Sequence, residues 1–123
     1  MSGEYEFLKE CGVFFVGTAD KEGRPQMRPF GAVMEHEGKL FISTSEGKRV
    51  YAQMKEKPSV QLLALKPGTR SWMRISAEAV EEKSIGIKER MLAECPALRK
   101  HFPSADAKGY AVFRLEEAQA EQY

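Results

Sequence analysis

Gly12-Val-Phe-Phe-Val-Gly-Thr-Ala19, Pro25-Gln-Met-Arg-Pro-Phe-Gly-Ala-Val-Met-Glu35 and Leu40-Phe-Ile-Ser-Thr-Ser45 decide the fold of this chain. The first and third are rich in the β-branched and aromatic residues that strands favour. The second alternates imperfectly, with Gln26, Arg28, Phe30, Ala32 and Met34 on one face and Met27, Pro29, Gly31 and Val33 on the other. The polar turn Asp20-Lys21-Glu22-Gly23 and the hairpin turn His36-Glu37-Gly38-Lys39 separate the three. Such connections are too short for the crossover that parallel strands require, so these strands pair antiparallel. Pro29 removes a ladder donor, which predicts an edge, a bulge or a bend there, and Gly31 permits close backbone approach.

Outward from these strands, residues 4–11 predict a short helix with Tyr5, Leu8 and Cys11 on one side, ended by Gly12. Residues 47–57 predict an amphipathic helix with Val50, Tyr51 and Met54 on its apolar stripe, stopped by Pro58. Residues 59–65 are apolar on both faces except Gln61 and read as a central strand. After the turn Lys66-Pro67-Gly68-Thr69, residues 70–80 alternate Trp72, Arg74, Ser76 and Glu78 against Ser71, Met73, Ile75 and Ala77. Residues 83–95 predict a helix striped by Ile87, Met91 and Cys95 with Leu92 beside them, followed by a loop to residue 109. A last strand spans 110–115, and residues 116–123 read as a polar, weakly packed tail. The sum is a mainly β chain forming one domain over residues 1–123. Six antiparallel strands with inserted helices suit a small closed or split β-barrel better than a doubly wound parallel sheet.

Composition narrows the function classes. A chain of 123 residues is long enough for one domain with a real core. Apolar residues make up 42% and charged residues 30%, with a net charge of +1, which argues against a broad footprint for nucleic acid or an acidic membrane. No apolar run approaches the roughly 20 residues that span a bilayer. Glu4, Glu6 and Lys9 interrupt the first turns, so no secretory leader is expected. Cys11 and Cys95 are the only cysteines and lack zinc-site spacing, which predicts reduced thiols in a cytoplasmic protein without a metal.

The densest chemistry lies between the third strand and the following helix. Ser43, Thr44 and Ser45 supply hydroxyls, Gly47 a flexible link, and Lys48 and Arg49 a cation pair at the helix start. Helix N-termini present free N–H groups and a partial positive charge, so this junction suits an anion, above all a phosphate. The spacing matches neither the P-loop nor the GxGxxG fingerprint. Arg28 reads either as a structural arginine at a hairpin rim or as a second cation near the same anion. Trp72 reads either as core or, with Arg74 on its face, as a rim that stacks on a planar ring. His36 and His101 read as exposed histidines without a nucleophile. No acid, base and nucleophile assemble, so catalytic residues stay unassigned and any reaction falls to a cofactor that the protein orients.

Taken together, these segments resemble the flavin-binding split-barrel group, the pyridoxamine 5′-phosphate oxidase-like superfamily, and within it the small NimC/NimA-type proteins. The resemblance runs from Phe7-Leu8-Lys9-Glu10-Cys11-Gly12 through Arg28-Pro29-Phe30-Gly31-Ala32-Val33 and Gly38-Lys39-Leu40-Phe41-Ile42 to Trp72-Met73-Arg74-Ile75. It implies a six-stranded split barrel that binds FMN as a homodimer, with two cofactor sites at the subunit interface. It implies that Arg28, Pro29, Phe30, Gly31, Ala32 and Val33 run along the flavin. Ser43, Thr44, Lys48 and Arg49 would engage the ribityl phosphate end, and Ser71, Trp72 and Arg74 would come from the partner subunit. The implied activity is oxidoreduction, with reduced FMN passing a hydride or electrons to a small acceptor such as a nitroaromatic or quinone. The alternatives are a flavin carrier or sensor without turnover, or the same barrel with haem or a deazaflavin. The chain is much shorter than the vitamin B6 oxidase and lacks a match to that enzyme's C-terminal tryptophan and arginine region, so the pyridoxamine phosphate reaction itself is not implied.

Overall fold

The computed structural model describes residues 3–123. Helix α1 (Glu4–Cys11) leads into strand β1 (Phe14–Ala19), which is followed by β2 (Pro25–Phe30), β3 (Val33–His36) and β4 (Lys39–Ser45). Helix α2 (Arg49–Glu56), strands β5 (Ser59–Leu65) and β6 (Trp72–Glu82), helix α3 (Ile85–Glu94), a 3-10 helix (Pro96–Lys100) and β7 (Tyr110–Gln122) complete the chain. The strands form one sheet, ordered β2-β1-β5-β6-β7-β4-β3, in which every pair is antiparallel.

The segment expected as one strand over 25–35 is two. Phe30 ends β2 on one edge of the sheet and Val33 begins β3 on the other. Seven flat strands would hold those edges roughly 29 Å apart at 4.8 Å per strand. Three Cα steps span at most about 11 Å. The sheet therefore curls until its edges nearly meet, joined by Gly31 and Ala32 rather than by a hydrogen-bonded ladder. That is a split barrel, with Pro29 and Gly31 at the split.

The second departure is the C-terminus. Residues 116–123 are not a loose tail: β7 runs on to Gln122 along β6, and Trp72 and Tyr123 exchange backbone bonds at 3.1 and 2.9 Å. Backbone pairing with a long neighbour holds this polar stretch where side-chain patterning gives no signal. The register slips between Ser76 and Glu78, and Glu117 adopts a left-handed φ of 52°. The extra residue is a bulge that bends β7.

Two cores flank the sheet. Phe14, Val16, Leu40, Ile42, Leu62, Ile75 and Phe113 fill the barrel, closed by Phe7 and Leu8 of α1 and by Val50 and Met54 of α2. Met34, Phe41, Tyr110 and Val112 point the other way, against Met91 and Leu92 of α3 and Phe102. Strands β4 and β7 are thus covered on both faces, which is why β4 is buried along most of its length. Burying each such large side chain contributes about 1.5–3 kcal/mol. Gly12, at φ 79°, ends α1 by donating to the Leu8 carbonyl at 3.0 Å, a conformation that favours glycine.

Candidate functional site

A cleft of about 750 Å³ opens beside the split. Residues 28–32 form one wall, as the chain crosses from β2 to β3. Ser43, Thr44 and Ser45 at the end of β4, with Lys48 and Val50 at the start of α2, form its inner corner. Leu98, Lys100, His101 and Phe102 supply the opposite wall, and Lys108, next to Gly109, adjoins the inner corner.

The inner corner is built for negative charge. Lys48 is the N-cap of α2, its side chain caps nothing, and no acidic residue occupies the first turn. The Arg49 and Val50 N–H groups therefore have no helical partner, and the positive end of the helix opens on the cleft. Gly47 donates to Ser45 Oγ at 3.3 Å, which shapes the turn. The hydroxyls of Ser43 and Thr44 are nearly buried and make no hydrogen bond among the described residues. Four full cations line the cleft (Arg28, Lys48, Lys100 and Lys108) and no carboxylate does. In a chain of net charge +1, that segregation is a property of the site.

Arg28 does not reach out to an anion. Its Nη1 donates to the carbonyls of Val16 at 3.1 Å and Gln26 at 3.3 Å and to Thr18 Oγ1 at 2.7 Å. Its Nη2 donates to Gln53 Oε1 at 3.0 Å, and the Thr18 hydroxyl donates to that same oxygen. Burial lowers its pKa, but every partner is neutral, so its positive charge is uncompensated beneath the cleft wall. Arg28 thus makes the contacts of a structural arginine and also lines the cleft.

Most of the residues assigned from sequence meet in the cleft: Arg28, Pro29, Phe30, Gly31, Ala32, Ser43, Thr44 and Lys48. Val33 does not line it. That residue is 3% exposed in the barrel core, and its carbonyl accepts the Cys95 thiol at 3.5 Å. Arg49, one residue beyond Lys48, turns to a smaller depression of about 170 Å³ with Asp20, Gln53 and Lys57. Ser71, Trp72 and Arg74 lie outside the cleft; Ser71 precedes β6, and Trp72 and Arg74 are on the outer face of the sheet. There Trp72 stacks on Tyr123 with ring centroids 4.4 Å apart, and the Arg74 guanidinium sits 5.2 Å from the Trp72 ring. Leu98, Lys100, His101, Phe102 and Lys108 were missed. The signal was there, in cations set among apolar residues in a segment read as plain loop. His101 is exposed as expected but lines the cleft, whereas His36 is half-buried with its ring 6.4 Å from Phe41.

Cys11 and Cys95 are free thiols whose pKa values are raised, chiefly by burial, so neither is an activated nucleophile. Among the described residues no group of three His, Cys, Asp or Glu side chains could hold a metal, and no helix is long and apolar enough to cross a membrane.

A curled seven-stranded antiparallel sheet with a cationic cleft at its split defines a split-barrel protein. The chain belongs to the pyridoxamine 5′-phosphate oxidase family, whose model matches residues 5–122. A NimC/NimA family protein from Clostridium acetobutylicum is 34% identical and superposes with a TM-score of 0.89 over 96% of this chain and 83% of that one. A pyridoxamine 5′-phosphate oxidase-related, FMN binding protein from Nostoc punctiforme shares the fold at 15% identity, with a TM-score of 0.72 over 91% of this chain and 73% of the other. An F420 reductase shares it at 12% identity, with a TM-score of 0.75 over 98% of each chain. No curated protein matches the chain.

Proposed function

We propose that this chain is an FMN-binding oxidoreductase that works as a homodimer in the cytoplasm. One observation carries the reading. The cleft joins, at one corner, an uncapped helix N-terminus, two unpartnered hydroxyls and Lys48, with no carboxylate among its lining residues. A phosphomonoester carries about −1.5 to −2 charges near neutral pH and three strong acceptor oxygens. The free N–H groups of α2, the hydroxyls of Ser43 and Thr44, and Lys48 match those acceptors in kind and number. The wall formed by residues 28–32, with Phe30 and the exposed backbone of Gly31, suits a flat ring, and about 750 Å³ falls within the roughly 300–1,000 Å³ of small-molecule sites. Membership of the family and the FMN binding neighbour from Nostoc add support.

Bound FMN would supply the hydride or electron transfer to a small acceptor, such as a nitroaromatic or quinone. The residues of this chain bind the phosphate, orient the ring along the split and exclude water.

The dimer reading rests on an apolar face that continues from the cleft. Five of the seven large exposed apolar residues lie on it: Val13, Phe15, Met27, Leu65 and Tyr123. Phe15 is opposite Pro29 on one side and Leu63 on the other, and Leu65 is opposite Trp72. Pro29 lines the cleft, so a second copy seated on this face would reach its mouth, and the Trp72 and Arg74 of that copy are the groups to complete it.

Titrating the purified protein with FMN tests the core of the proposal. The expected result is saturable uptake of one FMN per chain with quenched flavin fluorescence, followed by acceptor-dependent oxidation of NADH or NADPH. Absence of FMN uptake refutes the proposal, and uptake without any turnover reduces it to a flavin carrier.

A further inference from the structure

The cleft holds more positive charge than one phosphate uses. A phosphomonoester brings about two negative charges, whereas the lining residues supply four formal cations, to which the α2 N-terminus adds roughly half a charge. Arg28 is held beneath the wall by its neutral partners, and the three lysines fall into two groups. Lys48 occupies the N-cap position of α2, and Lys108 precedes Gly109, whose carbonyl accepts the Glu46 N–H at 2.8 Å, so both belong to the inner corner. Lys100 and His101 sit at the end of the 3-10 helix on the opposite wall.

That wall has a fixed position. The N–H groups of His101 and Phe102 donate to the Leu98 carbonyl at 3.0 and 2.9 Å. The Phe102 ring stacks on the buried Tyr110 with centroids 4.8 Å apart and planes 25° from parallel. Lys100 makes no ion pair and no side-chain hydrogen bond among the described residues, so nothing in the fold uses its charge. Beside it, Leu98 and Phe102 present apolar surface to the same cleft. One full cation next to an imidazole and an apolar patch suits a ring bearing a single negative charge.

We infer that the wall carrying Lys100 and His101 is the substrate subsite, and that the substrate is a small planar carboxylate rather than a neutral molecule. The inference rests on the FMN reading, since it assigns the inner corner to the cofactor phosphate and leaves the opposite wall free.

The test uses the FMN-loaded protein and two matched probes, 4-nitrobenzoate and its methyl ester, with binding read from perturbation of the flavin absorbance. The wild-type protein is expected to bind the carboxylate more tightly than the ester. Lys100→Ala should weaken the carboxylate about three- to fivefold, as for a partly exposed charge pair, and leave the ester unchanged. The carboxylate preference should shrink as salt rises towards about 0.5 M. FMN affinity of Lys100→Ala should stay within about twofold of wild type on the same scale of effect, which also reports that the variant folds. Equal binding of both probes by the wild-type protein overturns the inference while FMN binding stands. Weakened FMN binding by Lys100→Ala with no change in probe preference also overturns it, by making Lys100 part of the cofactor site. Failure of the wild-type protein to take up FMN is a different result, visible before any probe is added, and removes the reading beneath the inference.

Discussion

The carbonyl of Gly109 accepts the backbone N–H of Glu46 at 2.8 Å, tying the turn before β7 to the turn before α2. This one bond joins two segments 63 residues apart in sequence (109 − 46) and brings Lys108 to the same corner as Lys48. The corner is therefore made by tertiary contact, and the adjacent cation pair Lys48-Arg49 is not its unit. Arg49 faces the neighbouring depression instead.

Single substitutions should separate the two members of that pair. Lys48→Ala removes a charge-assisted contact of about 1.5–3 kcal/mol from the cofactor phosphate, so FMN affinity should fall roughly 10- to 100-fold. Arg49→Ala keeps the helix N–H groups and removes only a distant exposed charge, so the loss should be about threefold or less. Fluorescence titration of both variants decides it. Equal losses in the two would mean that the phosphate lies outside this corner.

Arg28 should matter to stability more than to direct ligation. Its guanidinium bridges β1, β2 and α2 through Val16, Thr18, Gln26 and Gln53. Arg28→Met keeps much of the stem but leaves the Val16 carbonyl and the Gln53 amide oxygen short of a donor. A loss of about 1–3 kcal/mol is expected in urea unfolding of the protein without FMN, as for other partly buried acceptors stripped of their partner. Unchanged unfolding free energy together with lost FMN binding would return Arg28 to the role of direct phosphate ligand.

How much of this was legible in the sequence depended on how local each signal was. The turns at residues 20–23 and 36–39, the Pro58 stop and the apolar stripe of α2 depend on neighbours a few positions away, and each element stands where the pattern put it. The break between β2 and β3 was half legible. Pro29 and Gly31 mark an irregularity, but only closure of the whole sheet says that the halves belong to opposite edges. The length of β7 was hidden because residues beyond 115 are held by the backbone of β6, and side-chain patterning is blind to that. The grouping of the inner corner was legible because its hydroxyls and cation lie within six residues, Ser43 to Lys48. The opposite wall was not, since Lys100 and His101 gain meaning only once Phe102 docks on Tyr110 across the second core.

The exposed apolar face supplies the last prediction. Phe15 is 42% exposed, Leu65 57% and Met27 60%, on adjacent strands of one sheet surface. Leaving such residues in water forgoes about 25 cal/mol for each Å² that a partner could bury. A second copy offers the same surface under a two-fold axis, which closes the assembly at two chains. Phe15→Glu would set two buried like charges in that interface without touching the barrel core, because Phe15 points outward between Pro29 and Leu63. Sedimentation velocity should find the wild-type protein dimeric and Phe15→Glu monomeric. The monomer should retain the native circular dichroism spectrum and bind FMN more weakly, because the cleft mouth next to Pro29 would lose its cover. A Phe15→Glu protein that remains dimeric would move the interface elsewhere, and one that is monomeric with wild-type FMN affinity would show that each cleft is complete within a single chain.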